Sequence, residues 1–292
     1  MRRTMLFLPS NNPNLMMNGS ALEADTLIFD LEDAVAPDQK DAARDLLKSA
    51  LKYLDFGRHE IIVRINSLDT PYWKQDLRGI MNERIDAIMP PKVSDAAYIQ
   101  ELDAEMTALE AEFGIEPGKV KILALLETAM GIENAYPIAC ASPRMMGLFL
   151  GAEDLSADLR CPRTKGGEEI RYARGKIVSS ARAAGIEVYD TPFTDVRDLE
   201  GLEEDARYAK GLGFSGKACI SPAHLGIVNR VFSPTEKEIQ YALEVFSAIE
   251  EAKRQGKGAI SLRGKMIDAP IVTRARLVLE AASEIEGEDY FG

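Results

Sequence analysis

Apolar residues gather in eight short segments at 4–9, 26–30, 61–66, 87–91, 122–127, 147–150, 187–190 and 218–221. Each is short enough to read as a buried strand, and successive segments lie roughly 22 to 39 residues apart, about one strand–helix unit. The intervals carry helical patterns. Residues 38–53 and 95–113 are amphipathic, with charge on one side, as helices outside a barrel should be. Stretches 131–139 and 167–184 continue the alternation, the second stopped by Gly185. Tight turns at 114–119 and 211–216 return the chain to the fifth and eighth segments.

Eight such units predict an α/β fold, a (β/α)8 TIM barrel. A doubly wound sheet shares the alternation, but no GxGxxG follows the first segment. The pattern assigns residues 1–254 to the barrel, with 234–254 as its last helix, and 255–292 to a C-terminal helical extension. That extension begins with a glycine-rich, basic stretch (255–264) and ends in a helix over 270–284, opened by proline. It is expected to act as a lid or to pack on a neighbouring subunit.

In a barrel, the residues trailing the strands share one mouth. Here they include Asp33, Asn66, Lys92, Glu127, Asp154, Asp190 and Ser221. Glu127 and Asp154 lie one strand–helix unit apart, so they should meet on adjacent strands. Two carboxylates that close repel unless a cation or a proton lies between them. Carboxylates without histidine suit Mg2+ better than zinc. The plainer alternative pairs each acid with a barrel lysine or arginine. Strict alternation puts Ile62, Arg64 and Asn66 on one strand face, and an arginine there can fork onto a substrate carboxylate. A salt bridge from Arg64 to Asp33 or Glu127 is the alternative. Asp30, Glu32 and Asp33 crowd the end of the second strand; Asp33, furthest toward the mouth, is the candidate water-mediated partner of a metal.

Composition narrows the function classes. The 292 residues carry a net charge of −12, which argues against a nucleic-acid partner. Three isolated cysteines, Cys140, Cys161 and Cys219, fit a reducing cytoplasm rather than a disulfide scaffold. No apolar run is long enough for a membrane span, and the run before Pro9 is too short for a signal peptide. One feature runs against the acidic balance, the basic series Arg160, Arg163, Lys165, Arg171, Arg174 and Lys176. It is read as a solvated helix face or as a phosphate-binding surface.

Six stretches then resemble one family in order. They are residues 3–9, Phe29-Asp30-Leu31-Glu32-Asp33-Ala34-Val35, Val63-Arg64-Ile65-Asn66, Leu126-Glu127-Thr128, Gly151-Ala152-Glu153-Asp154 and Gly264-Lys265-Met266-Ile267-Asp268. Together the chain resembles the HpcH/HpaI-type aldolases, the family of citrate lyase β subunits, malyl-CoA lyases and citramalyl-CoA lyases. The resemblance implies Mg2+ held by Glu127 and Asp154. It also implies substrate binding by Arg64, Glu127, Gly151 and Ala152, and catalysis by Arg64, Asp33 and Asp268. Asp268 would be supplied by the tail to a neighbouring subunit of a trimer or hexamer. The implied reaction is cleavage of a citryl thioester to oxaloacetate and an acetyl thioester, with acyl-carrier (γ) and transferase (α) subunits as partners. Citramalyl- or malyl-CoA cleavage, or a non-catalytic assembly role, are the alternatives. Two departures stand out: the loop Pro9-Ser10-Asn11-Asn12-Pro13 lacks the usual Pro-Gly and basic residues, and Ser221 replaces histidine before Pro222.

Overall fold

The computed structural model describes residues 1–82, 84–254 and 261–290. Eight parallel strands form a closed barrel in sequence order. They are β1 (Thr4–Pro9), β2 (Thr26–Asp30), β3 (Glu60–Arg64), β4 (Ala87–Met89), β5 (Lys121–Leu126), β6 (Met145–Leu150), β7 (Glu187–Asp190) and β8 (Gly216–Cys219). The seam pairs Thr4 with Lys217, Met5 with Ala218 and Leu6 with Cys219. Gly216 is required there, because any Cβ would collide with the Arg2 carbonyl. Met5, Ile28, Ile62, Met89, Leu123, Leu125, Phe149 and Tyr189 fill the interior, the layered core expected of this fold.

Local chemistry explains the helix boundaries. The helix Ala96–Phe113 starts where the Asp95 carboxylate accepts the Tyr98 N–H and ends at Gly114, with φ of 70°. Gly185 closes the helix Arg171–Ala184 in the same left-handed way, as expected. Several expected boundaries move, and three of the changes have a local cause or consequence. The fourth segment stops at Met89, since Pro90 and Pro91 cannot donate to a ladder. The third stops at Arg64, and Asn66 turns away from the mouth. The expected helix 131–139 is two short helices, Ala129–Glu133 and Ala135–Ala139, broken at Asn134.

By its contacts the chain divides into two compact units, Arg2–Asn229 and Arg230–Gly292 together with Met1. In the second, the helices Glu236–Arg254 and Ala269–Glu286 pack through Ala242, Val245, Ala275 and Leu279. A small antiparallel hairpin precedes the last helix: β9 (Ser261–Leu262) and β10 (Lys265–Met266), turned by Arg263 and Gly264 at φ of 49° and 77°. The hairpin was not foreseen, because its strands are too short to show a period. Residues 255–260 of the expected glycine-rich stretch lie outside the described residues. No helix among those described is long and apolar enough to cross a membrane.

Candidate active site

A cavity of about 460 Å³ opens at the C-terminal ends of the barrel strands. Its walls include Phe7, Asp30, Asp33, Arg64, Glu127, Gly151, Ala152, Asp154 and Thr191. The register that makes β3 alternate puts Ile62 in the barrel interior and Arg64 one layer above it. Arg64 reaches Asp33, one of the two alternative partners, only at the edge of ion-pair distance, and its main partners are Asp30 and Glu32. Its Nε and Nη2 fork onto Asp30 at 2.7 and 2.6 Å, and Nη1 lies 3.0 Å from Glu32 and 3.8 Å from Asp33. The Phe7 ring sits against the guanidinium, 5.2 Å to its centroid. One edge of the guanidinium is therefore committed to the protein. Its Nη1 side faces Glu32 and Asp33 at the cavity wall.

Glu127, at the end of β5, is buried to 4% exposure. Its Oε1 accepts the Lys92 backbone N–H at 2.9 Å. A Cβ on Gly151 would stand 2.5 Å from Glu127 Oε2, so the carboxylate rests in a cradle that only glycine leaves open. Burial, then the charges of Glu32 and Asp154, push the Glu127 carboxyl up to about 8, against the pull of Arg64. Burial raises Glu32 as well, despite Arg64 and Lys92. Such a carboxyl must either keep its proton or find a cation.

These residues fit a divalent cation. Glu127 and Asp154 offer hard oxygen donors just after neighbouring strands, and both line the cavity. Among the described residues no three His, Cys, Asp or Glu side chains converge as a closed cage, which leaves the remaining positions to water and substrate. Asp154 lies in the first turn of the helix Ala152–Asp158 and is partly exposed.

The other expected residues fall into place unevenly. Asp33 is on the cavity wall and mostly exposed. Gly151 and Ala152 also form wall, but their N–H groups are already bonded to the Leu126 carbonyl and Thr191 Oγ1. Asp268 belongs to the second unit, where it caps the last helix by accepting the Ile271 N–H. Asn66 is no mouth residue; it is buried and bonded to Asp76 and the Leu31 carbonyl. Asp190 is equally buried, held by Arg174 and Lys217. Ser221 caps a short turn at Pro222–His224. In the basic series, Arg163, Lys165, Arg171 and Arg174 all hold carboxylates. Those four are occupied by the protein itself, so the phosphate-binding reading loses its main donors.

Sequence reasoning underrated two residues. Glu32 is buried between Arg64 and Lys92, and Lys92 contacts both Glu32 and Asp154, at 2.9 and 3.5 Å. The signal for Lys92 was its place after Pro90-Pro91, where the chain must leave the ladder and turn.

Comparison with known proteins bears on the family and the fold. The HpcH/HpaI aldolase/citrate lyase family model matches residues 3–222. Citrate lyase subunit beta of Leuconostoc mesenteroides subsp. cremoris is 46% identical over 283 residues, covering 97% of this chain and 94% of that one. The L-malyl-CoA/beta-methylmalyl-CoA lyase of Cereibacter sphaeroides (strain ATCC 17025 / ATH 2.4.3) is 36% identical over 303 residues, covering 97% and 95%. Among solved structures, protein CitE of Mycobacterium tuberculosis in complex with magnesium, acetoacetate and coenzyme A superposes with a TM-score of 0.78 at 33% identity. The match covers 97% of this chain and 98% of that one. With the barrel, its acid-lined mouth and these relatives in agreement, the chain belongs to the HpcH/HpaI aldolase/citrate lyase family.

Proposed function

We propose that this chain is a Mg2+-dependent carbon–carbon lyase of the citrate lyase β-subunit type, cleaving a citryl thioester to oxaloacetate and an acetyl thioester. The observation that carries the reading is buried Glu127, its carboxyl pushed up and pressed against Gly151, lining one cavity with Asp154 and Arg64. The relatives named citrate lyase subunit beta, 40% to 46% identical, support the substrate. Glu127 and Asp154 would hold the ion. When bound, it supplies a Lewis acid for the substrate oxygen that turns from alkoxide to ketone.

The chain's own residues do the rest. Arg64 is proposed to meet a substrate carboxylate from the cavity wall, while the Asp30 fork fixes the plane of the guanidinium. A base takes the hydroxyl proton, the C–C bond breaks, and its electrons pass to the thioester enolate, which then takes up a proton. Asp33 is proposed as the acid at the wet side of the ion. Asp268, from the 255–292 extension of a neighbouring subunit, is proposed as the proton donor to the enolate. This reading also takes acyl-carrier (γ) and transferase (α) subunits as partners, and a homo-oligomer as the working form.

The 36% identical malyl-CoA lyase favours a second reading, cleavage of malyl- or citramalyl-CoA with the same acids and arginine. Purified protein should split citryl-CoA with Mg2+ or Mn2+ and stop when the metal is chelated. Full activity in excess EDTA would refute the metal role, and malyl-CoA cleaved in preference to citryl-CoA would favour the second reading.

A further inference from the structure

The chemistry proposed above gives Lys92 no step, yet the chain goes out of its way to place it. Its backbone sits at φ of 52°, a left-handed conformation that a side chain occupies only when its surroundings impose it. Three features impose it. Pro90 and Pro91 end the ladder before it; the Lys92 N–H is drawn to Glu127 Oε1 at 2.9 Å; and the next residue, Val93, donates to the Leu125 carbonyl while its own carbonyl packs where a Cβ on Gly131 would collide. From that turn the ammonium reaches Glu32 at 2.9 Å and Asp154 at 3.5 Å.

We propose that Lys92 is a positioning residue whose fixed positive charge, held between Glu32 and Asp154, sets how tightly Glu127 and Asp154 take a divalent cation. The inference rests on the metal role proposed for those two acids. Its two contacts separate cleanly. The backbone N–H steadies Glu127 whatever the side chain, whereas the ammonium alone opposes a second cation on Asp154. Even screened as in bulk water, a unit charge about 5 Å from a divalent ion weakens its binding by more than tenfold. An ion held this loosely is completed by substrate oxygens, so ion and substrate bind best together.

Isothermal titration of Mg2+ into the full chain at one alkaline pH tests this. Lys92→Met keeps the stem and the backbone donor but removes the charge, and should lower the Kd about tenfold. Lys92→Arg restores the charge and should return the Kd to that of wild type; Glu127→Gln should lose binding. Lys92→Gln serves as a second charge-removing variant, and if neither neutral variant folds, Lys92 is a folding residue and the inference is wrong. If wild type binds Mg2+ and the neutral variants bind equally or more weakly, the inference falls while the metal role stands. If wild type binds no Mg2+, both fall.

Discussion

Replacing Glu127 by glutamine should stabilise the protein, and the gain should grow as pH rises. The unfolded carboxyl loses its proton near 4.5, but in the folded chain burial and the neighbouring acids delay that loss to about 8. Between these values the folded state binds more protons than the unfolded one, so wild-type stability falls with rising pH. The interval corresponds to at most about 5 kcal/mol, reached above pH 8. Glutamine keeps the Oε1 that accepts the Lys92 N–H and has no charge to desolvate, so it escapes the penalty. The assay is urea unfolding of wild type and Glu127→Gln in EDTA, at steps from pH 5 to 9. The two midpoints should diverge steadily, and saturating Mg2+ should close the gap by binding the ionised wild type. Parallel profiles would refute the reasoning, since they would mean that Glu127 titrates alike in both states.

Three further outcomes are expected. Arg64→Lys keeps the charge but loses the Asp30 fork, so kcat/KM on citryl-CoA should fall by about 1.5–3 kcal/mol in transition-state terms; unchanged kinetics would make Arg64 a passive ion pair. Gly151→Ala puts a methyl where Glu127 Oε2 lies, so steady-state kinetics should show most activity lost while circular dichroism is unaltered. Mixing inactive Asp268→Ala and Arg64→Ala chains should restore part of the activity if Asp268 works across subunits. Mixtures that stay inactive after verified subunit exchange would exclude that arrangement.

The barrel was legible because eight buried strands with regular helical intervals leave few other solutions, and the acids of β5 and β6 followed from strand spacing alone. What spacing could not give was orientation at the strand ends. Asn66 and Arg64 share a parity in sequence, yet the strand stops at Arg64 and the next residues turn, sending Asn66 to Asp76 instead of the mouth. Asp30 looked like a strand residue and became the partner of Arg64, while Asp33 kept only a distant approach. Charges that seemed available to ligands, such as Arg174 and Asp190, are consumed by each other. Pairings of this kind join residues far apart in sequence and leave no periodic trace. The hairpin of β9 and β10 escaped for the opposite reason, as two residues per strand hold no pattern at all.

The buried quartet of Arg174, Asp190, Asp205 and Lys217 shapes how this protein can change over generations. Arg174 and Lys217 each touch both aspartates, and all four side chains are at least nine-tenths buried. Losing any one member strands an unmatched charge in the interior, at a cost of about 3–5 kcal/mol. Drift on the β7–β8 side must therefore pass through coordinated double replacements, which are rare. Elsewhere on the mouth, exposed wall residues such as Ala34 and Glu153, which carry no role in the proposed chemistry, can be exchanged singly without burying a charge. New substrate preferences in this lineage should accordingly arise at the ends of β2 and β6, with the β7–β8 wall inherited almost intact.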